Sequence, residues 1–209
     1  MMPEIIKSTT ALGIKNIYPG SLEADDVISW LCKNIANKKI IVSVDNDFAQ
    51  LVDLDTTFYN PIKKVGITYD NFEEHFKLTP KEYVYYKAIV GDTSDNISGL
   101  DGFGKVKGLK LAKSFANNEL DVIAPYKEQV ERNLKLVDLS YGITDNLNET
   151  NLYKQQFEQL QTVVPDFKEF ENICEELEFK SISNNMSEWK NAFGRSTAEA
   201  LVDFCKMFE

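Results

Sequence analysis

The feature that most constrains the fold is KKIIVSV, residues 38–44, which two aspartates follow directly. A short run rich in β-branched residues is typical of a buried strand in a parallel sheet. Asp45 and Asp47 are two residues apart, so in an extended chain both side chains point to one side. They follow the carboxyl end of the strand, where open α/β sheets place their functional sites. The alternative interpretation is a loop capped by aspartates.

The neighbouring segments predict a small α/β layer up to about residue 70, followed by a helical region. The predicted elements, in chain order, are a helix over residues 3–13, a strand in KNIYP, a helix over residues 23–36 capped by Ser21, two more exposed strands in TTFYNP and KKVGITY, a helix beginning at Thr79-Pro80, a second helix opened by the glycine-rich segment 99–108, and mainly helices from residue 120 onward.

The overall composition is typical of a globular protein without a membrane segment. No apolar run reaches the roughly 20 residues that a membrane helix needs, and the N-terminus lacks a signal-peptide pattern. The net charge of −10 argues against a protein that simply coats nucleic acid, although clustered bases or bound cations can still provide a local DNA site. The three cysteines, Cys32, Cys174 and Cys205, are odd in number and widely spaced, which predicts reduced thiols in the cytoplasm. His75 is the single histidine and is expected at an exposed helix position, which argues against a histidine-based triad or a histidine-rich zinc site.

A second acidic cluster lies in LEADDVIS, residues 22–29. In a helix beginning near Glu23, residues three apart share a face, so Glu23 and Asp26 point the same way, with Asp25 beside them. The helix dipole offsets part of their repulsion. The alternative is a negatively charged helix start that faces solvent.

A third acidic cluster, GDTSDN, contains Asp92 and Asp95 and ends a helix whose last residues are apolar. Carboxylates at a helix C-terminus oppose the helix dipole, so this placement is unfavourable without a positively charged partner. The alternative is an aspartate-stabilised turn. Three acidic clusters at the ends of separate core elements together suggest oxygen ligands for Mg²⁺ or Mn²⁺. Two such ions about 3.5–4 Å apart can support phosphodiester hydrolysis.

The glycine-rich segment GLDGFGKVKG, residues 99–108, has the glycine and lysine spacing of a P-loop. Val106 stands where that motif needs a Ser or Thr, and no strand precedes it, so a P-loop is excluded. The remaining interpretation is a Gly-x-Gly hairpin between helices, with lysines at the start of the second helix forming a phosphate site. An ordinary helix–helix turn is the alternative. The residues concerned are Gly102, Gly104, Lys105, Lys107 and Lys110.

Three segments, PGSLEADDVISWL, SVDNDFAQL and YKAIVGDTSDNISGLDGFGKVKGLKLA, resemble in order and spacing the motifs of the 5′-nuclease (flap endonuclease) family. Two later segments, YKEQVERNLKLVDLSYGITDNL and ICEELEFKSISNNMSEWKNAF, are similar to the T-even phage ribonuclease H branch. The resemblance implies an α/β, PIN-like nuclease core with a small parallel-type sheet over residues 1–75. It also implies a helical region over 76–195, with a helix–three-turn–helix motif at about 79–116, and a tail over 196–209.

The resemblance implies phosphodiester hydrolysis near a 5′ end or flap of DNA or of an RNA/DNA duplex, as in primer removal during replication. It also implies two Mg²⁺ or Mn²⁺ ions and a K⁺ ion at the Gly102–Gly104 hairpin. The lysines and glycines of the hairpin would bind the duplex backbone, in the cytoplasm of a host cell if the gene is phage-encoded. The implied metal ligands are Glu23, Asp25, Asp26, Asp45, Asp47, Asp92 and Asp95, with Glu23, Asp45 and Asp47 as the catalytic set.

One departure from the family pattern concerns the residues before Glu23. Family members begin with an aspartate-bearing strand, a second aspartate and a basic helical arch, whereas here MMPEIIKSTTALGIKNIYPG leads directly into the acidic motif. We therefore expect a separate N-terminal nuclease fragment as a partner for activity. The tail, STAEALVDFCKMFE, is expected to be an amphipathic helix packed on the domain or a peptide for a sliding clamp; a single-strand binding protein is a further candidate partner.

Two other functions compete with the nuclease interpretation. A non-catalytic module that binds DNA junctions would use the hairpin alone, although seven retained acids near DNA argue against it. A PIN-type ribonuclease would share the acidic α/β site but not the helix–three-turn–helix segment.

Overall fold

A computed structural model describes residues 2–18, 22–141, 151, 154–155 and 164–195. The chain divides into two compact units, one formed by Met1–Gly20 with Asn151–Glu209, the other by Ser21–Thr150. The predicted domain boundaries after residues 75 and 195 stay predictions. Within the described ranges, no helix is long and apolar enough to cross a membrane.

The larger unit contains a three-stranded mixed sheet in the order β1-β2-β3. β1 and β2 are parallel, which confirms the parallel strand predicted over residues 38–44, and Ile41 lies opposite Phe58. β3 is antiparallel to β2, so the sheet is not purely parallel. The strands are β1 Lys39–Val42, β2 Thr56–Asn60 and β3 Val65–Ile67.

The exposure predicted for these strands is partly wrong. β2, expected to be exposed, is the central strand and buries Thr56, Phe58 and Asn60, because it pairs with a neighbour on each side. β1, expected to be buried, leaves Val42 59% exposed, and Val44 beyond its end is 55% exposed. Among the described residues β1 pairs on one edge only, and its other edge carries free backbone groups.

Helices surround the sheet of the larger unit. The predicted helix over residues 23–36 is present, but its N-cap is Glu23 rather than Ser21, and Glu23 forms a capping box with Asp26. His75 is exposed on a short helix, as expected. The helices are α2 Ala24–Asn34, α3 Phe72–Phe76, α4 Pro80–Val90, α5 Lys105–Ala116, α6 Leu120–Ile123 and α7 Lys127–Val137, with 3-10 helices at Asn46–Leu51 and Ala124–Tyr126.

α4 is the central helix of this unit. The Thr79 side chain and Glu82 form a capping box at its start, and Pro80 occupies the first turn, as the Thr-Pro pair predicts. α4 packs against α5, α7 and the 3-10 helix Asn46–Leu51, and Ala88 and Ile89 are fully buried. Its last residue leads directly into a two-stranded hairpin that the sequence did not predict, formed by β4 Gly91–Asp92 and β5 Ile97–Ser98.

The smaller unit is helical. Among its described residues five form a buried core, and α1 confirms the helix predicted over residues 3–13. The strand predicted in KNIYP is wrong for residues 15–18, which have no regular secondary structure. The helices are α1 Met2–Ala11, α8 Phe167–Glu176, α9 Lys180–Ser183 and α10 Met186–Phe193. The buried core residues are Ala11, Leu12, Phe170, Ile173 and Cys174.

Cys32 and Cys174 form no disulfide with another described residue. Cys205 and the predicted tail at 196–209 lie outside the described residues.

Candidate metal centre

Three carboxylates of the larger unit come together where the sequence predicted an acidic site. One oxygen each of Asp47, Asp92 and Asp95 lies within 4.8 Å of the other two. Asp47 belongs to the 3-10 helix that follows β1, Asp92 is in β4, and Asp95 is in the turn between β4 and β5. The two segments that supply these acids are 40 or more residues apart in sequence, so the fold brings them together.

A lysine that the sequence analysis did not single out lies among these acids. The Nζ of Lys87, on α4, donates one hydrogen bond to Asp47 Oδ1 and another to Asp92 Oδ2, the second at 2.7 Å. The Lys87 side chain is only 10% exposed. It is the positively charged partner that Asp92 needs at the C-terminal end of a helix. That requirement was the available signal for Lys87, which lies five residues before Asp92.

The charges of this group are strongly coupled. Hydrogen bonds from Lys87 and Ser94 hold the pKa of Asp92 down at about 2. Burial lowers the pKa of Lys87, but its bonds to Asp47 and Asp92 outweigh that effect and raise it. Burial raises the pKa of Asp47 in spite of the contact with Lys87, and the carboxylates of Asp45 and Asp92 add to the rise. Lys87 is therefore protonated at neutral pH, and Asp47 is harder to ionise than Asp92.

Local hydrogen bonds fix the orientation of the carboxylates. Oδ1 of Asp92 accepts bonds from the backbone N–H of Ser94, at 2.9 Å, and from its hydroxyl, which leaves Oδ2 for Lys87. Asp45 Oδ1 accepts the backbone N–H of Asp47 at 2.9 Å. The Asp45 carboxylate therefore caps the 3-10 helix, which is the alternative that the sequence left open for this residue.

The acids at the start of α2 are not part of the three-carboxylate group that the described residues form. Asp26 Oδ2 accepts the backbone N–H of Glu23 at 3.3 Å, and Asp25 Oδ1 accepts that of Asp26 at 3.0 Å. These bonds stabilise the helix start. The metal-binding roles of Glu23, Asp25, Asp26 and Asp45 stay predictions.

The glycine-rich segment forms the predicted turn before α5. Gly102 has a φ of +75°, which favours glycine, and a Cβ at Gly102 or Gly104 would have no atom within 4 Å. Gly104 is the N-cap of α5, and Lys105, Lys107 and Lys110 are exposed on its first turns. Exposed backbone amides and ammonium groups at a helix start, with open space beside the glycines, form a surface that suits a phosphate backbone.

The residues present fit a hard divalent cation. All three converging groups are carboxylates, the donors that Mg²⁺ and Mn²⁺ prefer, and one oxygen of each lies within 4.8 Å of the other two. Lys87 contacts two of them and offsets one of their negative charges. These three residues could therefore hold a cation.

Comparison with known proteins shows what the chain resembles. Residues 1–77 match the family model described as the 5′-3′ exonuclease, N-terminal resolvase-like domain. The chain is 28% identical over 195 residues to a 5′-3′ exonuclease of Aquifex aeolicus, covering 87% of this chain and 64% of that protein. It is 34% identical over 122 residues to a 5′-3′ exonuclease of Mycoplasma pneumoniae, covering 54% of this chain and 42% of that protein. The chain is therefore similar to 5′-3′ exonucleases. It spans less than two thirds of the length of these two relatives.

Solved structures are similar to this chain in fold. A flap endonuclease of bacteriophage T5, in a complex with DNA and metal ions, has a TM-score of 0.58 at 21% identity, covering 68% of this chain and 61% of that one. A T5 5′-exonuclease structure with bound zinc has a TM-score of 0.57 at 22% identity, covering 68% and 60%. The predicted α/β nuclease fold with a helical region is confirmed.

Proposed function

We propose that this protein is a 5′ nuclease that hydrolyses phosphodiester bonds near a 5′ end or flap and depends on Mg²⁺ or Mn²⁺. The observation that carries the proposal is the convergence of Asp47, Asp92 and Asp95 on the hairpin that connects α4 to the lysine-bearing helix α5. Two of the three acids and the lysines proposed to bind phosphate thus belong to one continuous segment. The family's 5′-3′ exonucleases and the DNA-bound T5 enzyme support a nucleic-acid substrate.

In this proposal each group of the chain has a separate task. A divalent cation held by the three aspartates would neutralise charge on the scissile phosphate and favour ionisation of the attacking water. Lys87 stays protonated at Nζ, so its ammonium group is available to a phosphate oxygen while Asp47 and Asp92 keep it in place. Lys105 and Lys107 would bind the duplex backbone at a distance from the reacting bond.

A second ion, held by Glu23, Asp25, Asp26 and Asp45, belongs to the same proposal, as does K⁺ at the Gly102–Gly104 hairpin. The role in primer or flap removal during replication is also proposed. The sliding-clamp peptide at 196–209 lies outside the described residues and stays a prediction.

We also propose that activity requires another polypeptide segment, the separate N-terminal nuclease fragment predicted above, paired with the free edge of β1. The support is the exposure of Val42, 59%, at the end of β1, and of Val44, 55%, between that end and Asp45. Exposed β-branched residues on an unpaired strand edge are a surface that another strand can cover. Such pairing would fix the strand end that presents the acidic segment.

The test measures cleavage of a 5′-flap DNA by the protein, alone and mixed with a candidate N-terminal fragment, in Mg²⁺, in Mn²⁺ and in EDTA. Asp92→Asn should abolish cleavage and keep flap binding, because it removes a metal ligand and leaves the hairpin unchanged. Asp121→Asn, an exposed acid on α6, is the matched control and should cleave normally. Equal cleavage by the wild type and Asp92→Asn would refute the proposed centre.

A non-catalytic junction-binding module is the second candidate. The observation in its favour is that Lys87 already compensates Asp47 and Asp92, so the acids tolerate one another without a cation. Flap binding in EDTA with no cleavage in any metal or mixture would favour this function over the nuclease.

A further inference from the structure

Asn133 on α7 is a buried polar residue with an unusual pair of contacts. Its side chain is among few polar ones in the core, at 3% exposure. Nδ2 donates to the backbone carbonyl of Ala88 at 2.8 Å and to that of Ser98 at 2.9 Å. Both hydrogens of the amide are therefore used, and they connect two segments that lie on either side of the Asp92–Asp95 turn.

The carbonyl of Ala88 is one of the last four of α4, which a helix cannot satisfy by itself. The carbonyls on either side of it have backbone partners. The Lys87 carbonyl accepts the N–H of Gly91, and the Ile89 carbonyl accepts the N–H of Leu100 at 2.7 Å. Asn133 supplies the bond for the carbonyl between them. It thereby holds the end of α4, one residue after Lys87, against β5.

The segment that Asn133 closes carries two of the three converging acids. Ser98 pairs with Gly91 at the base of the hairpin, and the turn between them contains Asp92 and Asp95. Two hydrogen bonds from one amide add to this pairing and tie the end of α4 to β5, the two segments on either side of the acidic turn. A change at Asn133 would act on the acids through the backbone, without touching them.

The same helix also contacts the other acidic segment. At the end of α7, the amide of Gln50 donates to the carbonyl of Val137 at 3.1 Å and accepts the N–H of Leu139 at 3.0 Å. Gln50 lies three residues after Asp47 on the 3-10 helix. Near the start of α7, Gln129 donates to the carbonyl of Gly99 at 3.2 Å, where the glycine-rich segment begins. α7 therefore spans both acidic segments and the approach to the hairpin.

We propose that Asn133 is a positioning residue that sets the separation of the metal-binding carboxylates and aligns them with the glycine-rich hairpin. This inference rests on the proposed function of the acidic centre. A polar residue in the interior costs stability unless every donor is paired, and a leucine of similar size would fill the same space without that requirement. Unlike leucine, the Asn133 amide can donate at once to the carbonyl of Ala88 on α4 and to that of Ser98 on β5.

The test compares Asn133→Leu with Val130→Ala, a fully buried residue on the same helix that makes no bond to the acidic turn. Both proteins are first shown to be folded by circular dichroism, and Mn²⁺ affinity is then measured by electron paramagnetic resonance without nucleic acid. Loss of residues that support metal ligands costs roughly 10–100-fold in affinity. We expect Mn²⁺ binding about tenfold weaker in Asn133→Leu and unchanged in Val130→Ala.

The outcomes separate the two proposals. If the wild type binds no Mn²⁺, the proposed metal centre is refuted. If the wild type binds Mn²⁺ and Asn133→Leu binds it equally well, the positioning role is refuted while the centre stands. Should Asn133→Leu not fold, Asn133→Ser, whose hydroxyl is too short to span both carbonyls, takes its place under the same criterion.

Discussion

Replacing Lys87 with methionine should destabilise the metal-free protein and make its stability depend more strongly on divalent cations. A hydrogen bond to a charged group contributes about 1.5–3 kcal/mol, and Lys87 makes two of them. The side chains of Asp47 and Asp92 are 30% and 16% exposed, so part of their hydration returns when the ammonium group is removed. We therefore expect Lys87→Met to lower the free energy of unfolding in EDTA by about 2–4 kcal/mol.

Urea unfolding followed by circular dichroism measures this loss, and the same titration in Mn²⁺ measures its recovery. An ion at 100 times its dissociation constant adds about 2.7 kcal/mol to the stability of a folded protein. Since the ammonium group no longer competes for the same oxygens, Lys87→Met should gain more from Mn²⁺ than the wild type gains.

Lys81→Met is the matched control for this experiment. Lys81 lies on the same helix but is exposed, and its Nζ donates to the carbonyl of Ala116 rather than to a carboxylate. Its replacement should change the free energy of unfolding by no more than about 1 kcal/mol. This difference between Lys81→Met and the wild type should be the same in EDTA and in Mn²⁺. Equal losses in Lys87→Met and Lys81→Met, or equal stabilisation of the wild type and Lys87→Met by Mn²⁺, would refute the reasoning.

Two further predictions concern glycines and a cysteine. A Cβ at Gly99 would lie 2.2 Å from the carbonyl oxygen of Val90, so Gly99→Ala should lower the free energy of unfolding by about 1–3 kcal/mol. Gly104→Ala meets no atom within 4 Å and should change stability by less than about 1 kcal/mol while weakening flap binding, which a gel-shift titration of both variants checks. Burial raises the pKa of Cys32 to about 11, so at pH 8 its alkylation by iodoacetamide, followed by peptide mass spectrometry, should be slower than in urea-unfolded protein. Equal alkylation rates of folded and unfolded protein at pH 8 would contradict this prediction. The contribution of the protonated Cys32 thiol to the free energy of unfolding is complete below the unfolded pKa of 9.0 and is lost as the pH rises through about 11.

Local patterns in the sequence were sufficient to predict most elements of the fold. The apolar run before Asp45 indicated a parallel strand, and Thr79-Pro80 indicated the start of α4, because each signal depends only on residues within a few positions. The burial of β1 and β2 was predicted in the wrong order. Which strand is central depends on the order of strands in the sheet, and nothing in residues 56–60 alone encodes that order.

The candidate site shows the same division between local and tertiary information. Asp47 and Asp92 could be proposed because acids at the ends of apolar elements are costly unless something compensates them. The need of Asp92 for a positively charged partner did not by itself select Lys87, since within YVYYKAIVG this residue reads equally well as an exposed residue on an amphipathic helix. Its contact with Asp47 crosses 40 residues of sequence and exists only because α4 packs on the 3-10 helix.

The opposing charges at the end of α4 explain how the chain can keep its acids close together before any cation is bound. Asp92 faces the negative end of the helix dipole, and Lys87 offsets that repulsion from inside the last turn. Asn133 removes the free carbonyl of Ala88 from the same helix end. Because Lys87 compensates Asp92 and Asp47 without using Asp95, the cluster retains a net negative charge. In the proposed centre a cation would gain from Asp95 at once and would share the other two carboxylates with the lysine, so the position of α4 would affect metal affinity.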